Sequence, residues 1–210
     1  MDLLQKISEE LQRGNYDEMP QFIQQALDAG VPAPRILKEG LVLGMSIVGE
    51  QFQNDEIFLP DVLISAKAMQ AGMTILRPRL AEAGVKLSGK IVMGTVKGDI
   101  HDIGKNLVAM LLEGAGYQVI DLGIDVSPEK FVEAIKSNKA DLVGLSALLT
   151  ITMPLMKEVI ESLVESGVRK SVKVVVGGAP VTEQFAQEIG ADGYAPDAHT
   201  AVQKVRELIG

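Results

Sequence analysis

The stretch Lys90-Ile-Val-Met-Gly-Thr95-Val-Lys-Gly-Asp99-Ile-His101-Asp-Ile-Gly104-Lys-Asn106 decides how the rest of the chain is read. Its opening residues, 90–95, form a short β-rich run, which predicts a buried strand. From Ile103 onward, Ile103, Leu107, Met110 and Leu111 recur at helical spacing and predict a helix over 103–115. Between them lies a loop with a carboxylate two residues ahead of an imidazole. Strand, loop and helix in that order are the unit from which parallel sheets are built.

Toward the C-terminus the unit repeats. Residues 118–121, 141–146, 173–176 and 193–194 read as strands, and helices fit over 128–138, 154–166, 182–189 and 198–209. Val-rich strands alternating with helices predict a doubly wound, five-stranded parallel sheet of Rossmann or flavodoxin-like type, covered on both faces. In such sheets ligands bind outside the carboxyl ends of the strands. Residues directly after a strand are therefore the first candidates for function.

Toward the N-terminus the period is helical throughout. Leu3, Leu4, Ile7 and Leu11 share one face, and Phe22, Ile23, Ala26 and Leu27 another, ended by Gly30 and Pro32. A third helix is expected over about 34–52. A fourth is expected from Pro60 or Asp61 to about Leu76, stopping before Pro78. Four helices with short links predict a small bundle. The stretch 81–89, with two glycines and a serine, is the natural boundary. The expected fold is thus α/β with an all-α N-terminal domain: a four-helix bundle over 1–87, then the parallel sheet over 88–210.

The composition narrows the function classes. Of 210 residues, 47% are hydrophobic and only 4% aromatic, so the core is aliphatic. No Cys is present, which excludes disulfides, thiolate metal sites and a Cys nucleophile. A formal net charge of −8 argues against nucleic acid or an anionic membrane as partner. The acidic, amphipathic start lacks the basic region and apolar run of a secretion signal. The stretch 142–156 is broken by Pro154 and is shorter than the roughly 20 residues of a membrane span. A cytoplasmic location is expected.

Asp99 and His101 define the chemistry. A metal-bound imidazole commonly donates its other ring N–H to a carboxylate, which fixes the tautomer and raises the basicity of the ligand. Taken alone, the same residues also describe a solvated histidine in a surface loop. A phosphate-binding P-loop does not fit, because five residues instead of four separate Gly98 from Gly104-Lys105, and Asn106 replaces the magnesium-binding Ser or Thr. Zinc does not fit either: with two His and no Cys, a closed site would need several carboxylates.

Asp99-x-His101-x-x-Gly104 resembles the D-x-H-x-x-G signature of cobalamin-binding domains, the family of methionine synthase, the adenosylcobalamin mutases and the corrinoid proteins of methyltransferase systems. Two companion motifs stand in the family's order: Ser146-Ala-Leu148 after the third expected strand and Gly177-Gly178 after the fourth. The resemblance spans about residues 1–208. It implies that His101 is the lower ligand of cobalt in place of the cofactor's own benzimidazole, with Asp99 as its hydrogen-bond partner. It implies a hydroxyl at the end of the relay, here Thr152 where the family often has Ser. By the same resemblance, Gly98, Ile100, Asp102, Ile103 and Gly104 contact the cofactor. Ser146, Leu148, Thr150, Gly177, Gly178, Tyr194, Ala195 and Asp197 line the slot for its nucleotide tail. The bundle resembles the cap that shields the methyl group, with Phe52, Leu59 and Val62 as covering side chains.

The implied function is a corrinoid methyl carrier of one-carbon metabolism. It would hold cobalamin base-off and His-on, and pass methyl groups between a substrate-specific methyltransferase and a second methyltransferase acting on a folate or thiol. A reductive activation protein would restore the cofactor. The chain carries no further loaded constellation, so substrate sites are expected on the partners. The cap must move aside for them, which makes 81–89 the expected hinge. Three other readings use the same residues: a cobalamin-binding regulator or sensor, the small subunit of an adenosylcobalamin mutase, and a doubly wound domain without cobalt. The absence of a basic recognition helix counts against the first, and the helical domain against the second.

Overall fold

A computed structural model of the chain describes residues 2–83 and 88–210. They fall into two compact units, one helical and one built on a sheet.

The helical unit begins with α1 (Leu3–Gln12) and α2 (Met19–Asp28). An unbroken helical stretch follows, made of α3 (Ala33–Arg35), a π-helical segment (Ile36–Val42) and α4 (Leu43–Gln53), and then α5 (Leu59–Glu82). Local chemistry sets the starts. The Asp2 side chain accepts from the Leu4 N–H to cap α1, and Asp61 reaches back to the Phe58 N–H at 2.9 Å. Ile7, Leu11, Met19, Ile23, Ile36, Leu41, Met69 and Leu76 form the fully buried core. Gly40 and Gly44 let the third helix approach α1 closely. A β-carbon at Gly40 would lie 2.9 Å from Ile7 Cγ2, and one at Gly44 3.1 Å from the Ser8 carbonyl oxygen. Gly40 falls inside the π-helical segment, a turn type the apolar pattern does not reveal.

The fourth helix departs from expectation. It continues through Pro78 to Glu82. Proline inside a helix costs about 3 kcal/mol, because its N–H is missing and its ring crowds the carbonyl four residues back. Leu76 and Leu80, one turn apart across Pro78, are both buried. Burying one leucine contributes about 1.5–3 kcal/mol, which offsets the broken bond. Of the expected hinge, Gly84 lies outside the described residues. Gly89 belongs to the sheet: its carbonyl accepts from the Gln118 N–H at 2.9 Å, and a β-carbon on it would lie 3.0 Å from Ile209 Cδ1.

The second unit runs β1 (Lys90–Thr95), α6 (Ile103–Gly114), β2 (Gln118–Asp121), α7 (Pro128–Asn138), β3 (Leu142–Ser146), α8 (Pro154–Glu165), β4 (Lys173–Gly177), α9 (Glu183–Glu188), β5 (Gly193–Ala195) and α10 (Ala198–Ile209). The strands form one sheet in the order β2-β1-β3-β4-β5, and every pairing is parallel. One face packs Val92, Val143, Val174 and Val176 against Phe131, Ile135, Val159 and Leu163, all buried. Pro128 and Pro154 stand at the first helical positions of α7 and α8, where a missing N–H does no harm. The register aligns Thr95 with Ser146, Ser146 with Gly177, and Gly177 with Ala195. That row is the carboxyl edge of the sheet. No helix among the described residues is long and apolar enough to cross a membrane.

Candidate functional site

Strand order reverses between β1 and β3, because β2 lies on one side of β1 and the later strands on the other. The loops after β1 and β3 thus leave a switch point in diverging directions and open a crevice there. Asp99 ties the two loops together. Its side chain is completely buried and accepts five hydrogen bonds. Oδ1 receives the His101 backbone N–H at 3.1 Å and His101 Nδ1 at 2.7 Å. Oδ2 receives the N–H groups of Leu148 at 2.8 Å and Leu149 at 3.2 Å, and Thr152 Oγ1 at 2.7 Å. Burial alone would raise the Asp99 carboxyl. The bonds from Thr152, from the His101 ring and from the Leu148 and His101 N–H groups outweigh it and hold the carboxyl well below the usual carboxylate range.

This arrangement orients the histidine. An ionised carboxylate only accepts, so Nδ1 is the donor in this bond and Nε2 is the ring nitrogen that points away from it. Nε2 has no hydrogen-bond partner among the described residues, and the side chain is 44% exposed. Thr95, buried at the end of β1, donates its hydroxyl to the His101 carbonyl at 2.9 Å. The Thr152 hydroxyl also lies 2.9 Å from the Leu149 carbonyl. With one proton to give, it serves the charged carboxylate, the stronger acceptor.

The surroundings match a large, flat, mostly apolar ligand carrying one metal. Ile100 and Ile103 are 70% and 75% exposed, and Leu148 and Ile151, on the loop that Asp99 grips, are also exposed. Exposed apolar side chains around one ring nitrogen are what such a ligand needs. Gly104 has no neighbour within 4 Å of an added β-carbon and no positive φ, so the chain's own packing does not require a glycine there. The open space beside it admits close approach by a group outside the chain. No group of three or more metal-binding side chains occurs among the described residues.

The other expected residues divide. Ser146 and Thr150 hold their hydroxyls without a hydrogen-bond partner among the described residues; Ser146 is half-buried and Thr150 exposed. Gly177 and Gly178 are required by the chain itself. A β-carbon at Gly177 would lie 2.8 Å from the Ala195 carbonyl oxygen, and one at Gly178, whose φ is +128°, 1.9 Å from that of Ala147. They let the loops after β3, β4 and β5 close on one another. Tyr194 packs partly buried against the sheet core, and Ala195 is buried. Asp197 caps α10, accepting from the Thr200 N–H at 2.7 Å. Asp102 accepts from Asn106 Nδ2 at 3.0 Å. In the helical unit Val62 is fully buried, Phe52 and Leu59 are half-buried, and the neighbouring Phe58 is the exposed aromatic. Sequence reasoning missed Thr95 and also Asp125, whose carboxylate accepts from the Gly98 N–H at 2.7 Å. Their positions at the carboxyl ends of β1 and β2 were the available signal.

Fold and site together define a doubly wound α/β protein with a carboxylate-held imidazole at a sheet switch point. Comparison with known proteins gives the family. Residues 89–203 match a family model described as a B12 binding domain, and residues 3–77 match a second model of the same description. A corrinoid protein of Desulfitobacterium hafniense is 44% identical over 100% of this chain and 99% of its own length. A dimethylamine corrinoid protein of Methanosarcina acetivorans is 44% identical over 99% of this chain and 96% of its own. Among solved structures, the methanol:cobalamin methyltransferase complex MtaBC of Methanosarcina barkeri superimposes with a TM-score of 0.86 at 32% identity, covering 99% of this chain and 84% of that one. The chain belongs to the B12-binding corrinoid proteins, and its cofactor is a corrinoid.

Proposed function

We propose that the chain is a methyl carrier that binds its corrinoid base-off, with His101 Nε2 as the lower ligand of cobalt. One observation carries this reading: a buried carboxylate holds the imidazole through Nδ1 and leaves Nε2 without a partner among the described residues, beside a glycine that the fold does not need. When bound, the cobalt centre supplies the nucleophile that accepts a methyl group and later releases it. The chain's residues do the rest. Asp99 and the loop after β3 hold the imidazole. Ile100, Ile103 and Leu148 support the macrocycle. Ser146, Thr150, Tyr194 and the backbone at Gly177 and Gly178 line the slot for the nucleotide tail. Residues 1–87 cover the reactive face through Phe52 and Leu59, while 88–210 hold the cofactor.

Relatives named for dimethylamine and a methanol methyltransferase complex support a substrate-specific methyltransferase as donor partner, acting on a small methylated amine or alcohol. A second methyltransferase with a folate or thiol acceptor, a reductive activation protein and a cytoplasmic location complete the proposal. The family match over residues 3–77 favours the carrier over a mutase subunit, in which the helical half has no task. The test is single-turnover methyl transfer. The loaded protein is reduced and methylated anaerobically, then mixed with a methylamine or methanol system's acceptor methyltransferase. Loss of the methyl-cofactor absorption with matching formation of methylated acceptor is expected. A methylated protein inert towards every such partner would remove the carrier role.

A further inference from the structure

Asp125 has no part in the site as described so far, apart from its bond to Gly98. It lies exposed in the loop between β2 and α7 at φ +53°, one of three non-glycine residues with positive φ among those described. That conformation costs an ordinary L-residue about 1–2 kcal/mol, less for Asp. Glycine would adopt it freely.

The side chain shows what glycine would lose. Asp125 Oδ1 accepts from the Gly98 N–H at 2.7 Å, while the Asp125 N–H donates to the Asp99 carbonyl at 3.0 Å. Two bonds thus grip the backbone on either side of the Gly98–Asp99 link from outside, as the loop after β3 grips the Asp99 side chain from within. The gripping loop is itself anchored. Lys105, buried on the first turn of α6, pairs with Asp121 at the end of β2. Asp121 Oδ1 accepts from the Gly123 N–H at 2.9 Å, and the Gly123 carbonyl accepts from Thr95 N–H at 3.0 Å. Those bonds survive any change at position 125. The Asp125 carboxylate is the separable contact between this loop and the one bearing the imidazole.

We infer that Asp125 is a positioning residue for His101, holding the backbone at Gly98 and Asp99 so that the Asp99 carboxylate presents Nε2 in the geometry cobalt requires. Positioning of this kind acts through a few tenths of an ångström. The inference rests on His101 being the ligand, and the test separates the two.

Full-length protein and its Asp125→Gly, Asp125→Asn and His101→Gly variants are loaded with methylcobalamin, freed of unbound cofactor and compared by visible absorption. His101→Gly supplies the spectrum without the histidine. Asp125→Gly removes the carboxylate while relieving the backbone, so its urea midpoint without cofactor should equal or exceed that of the wild type. Its spectrum should nevertheless move to that of His101→Gly. Asp125→Asn keeps an acceptor oxygen and the tolerated backbone, and should retain the wild-type spectrum. An Asp125→Gly protein with the wild-type spectrum would overturn the positioning role while His101 remained the ligand. A wild type indistinguishable from His101→Gly would remove the ligand assignment, and the role of Asp125 with it.

Discussion

Asp99 concentrates the energetics of the site in one side chain. A buried carboxylate is tolerated only when its oxygens are fully bonded, and here five donors meet it. Removing one leaves charge unsolvated. Thr152→Val should therefore lower unfolding free energy by about 1.5–3 kcal/mol, the usual range for a bond to a charged group. Thr152→Ser, which keeps the hydroxyl, should lose less than half as much in urea titration. The same carboxylate gives a pH signature. Its folded value lies below the unfolded one, so between the two the unfolded chain binds more protons and stability rises with pH. The contribution is complete above the ordinary value near 3.9 and is lost as pH falls from there toward the folded value. Asp99→Asn, which cannot ionise, should be less stable than the wild type at pH 7, and the gap should narrow below about pH 4. A gap that stays constant across acid unfolding curves would mean that the carboxylate is not held in its charged form.

At the scale of elements, the alternation of β-rich and helical runs made the sheet unit legible. Strands and helices fall where β-rich runs and 3.6-residue periods place them, and α7 and α10 match their expected ends. What stayed hidden depends on tertiary contact. Pro78 signals a helix end, yet burial of Leu80 carries α5 past it. Pro78→Ala should restore an N–H to the Thr74 carbonyl and raise the thermal midpoint by about 2–4 °C per kcal/mol recovered. An unchanged or lower midpoint would mean that the proline is not strained there. The π-helical segment over Ile36–Val42 left no mark in the apolar pattern, since packing against α1 selects it. Gly177 and Gly178 stood out in the sequence, but the structure gives them a packing reason that was not legible, because no sequence shows that the Ala147 and Ala195 carbonyls lie against them. Gly178→Ala combines a positive φ with a backbone collision and should destabilise the protein by about 3 kcal/mol or more, read as a lower urea midpoint without cofactor.

Across the whole molecule, the strand order β2-β1-β3-β4-β5 explains why residues far apart in sequence act together. Thr95, Ser146, Gly177 and Ala195 share one register row, and the loops that follow them meet at the carboxyl edge. The D-x-H loop and the Ser146 and Gly177-Gly178 motifs were readable because each falls just past a strand. The partners of Asp125 and Lys105 were not, since the crossing of loops sets them. The central claim is a bond from His101 Nε2 to cobalt, and electron paramagnetic resonance of the reduced, Co(II) form tests it directly. The protein is prepared with histidine labelled in nitrogen-15 and loaded with unlabelled cobalamin. Nitrogen-14 on the cobalt axis splits each cobalt line into three and nitrogen-15 into two. Two-line splitting, absent from His101→Gly but retained in His199→Ala, is the expected result. Three-line splitting from the labelled protein would show the cofactor's own benzimidazole still on the metal, and would contradict the assignment of His101.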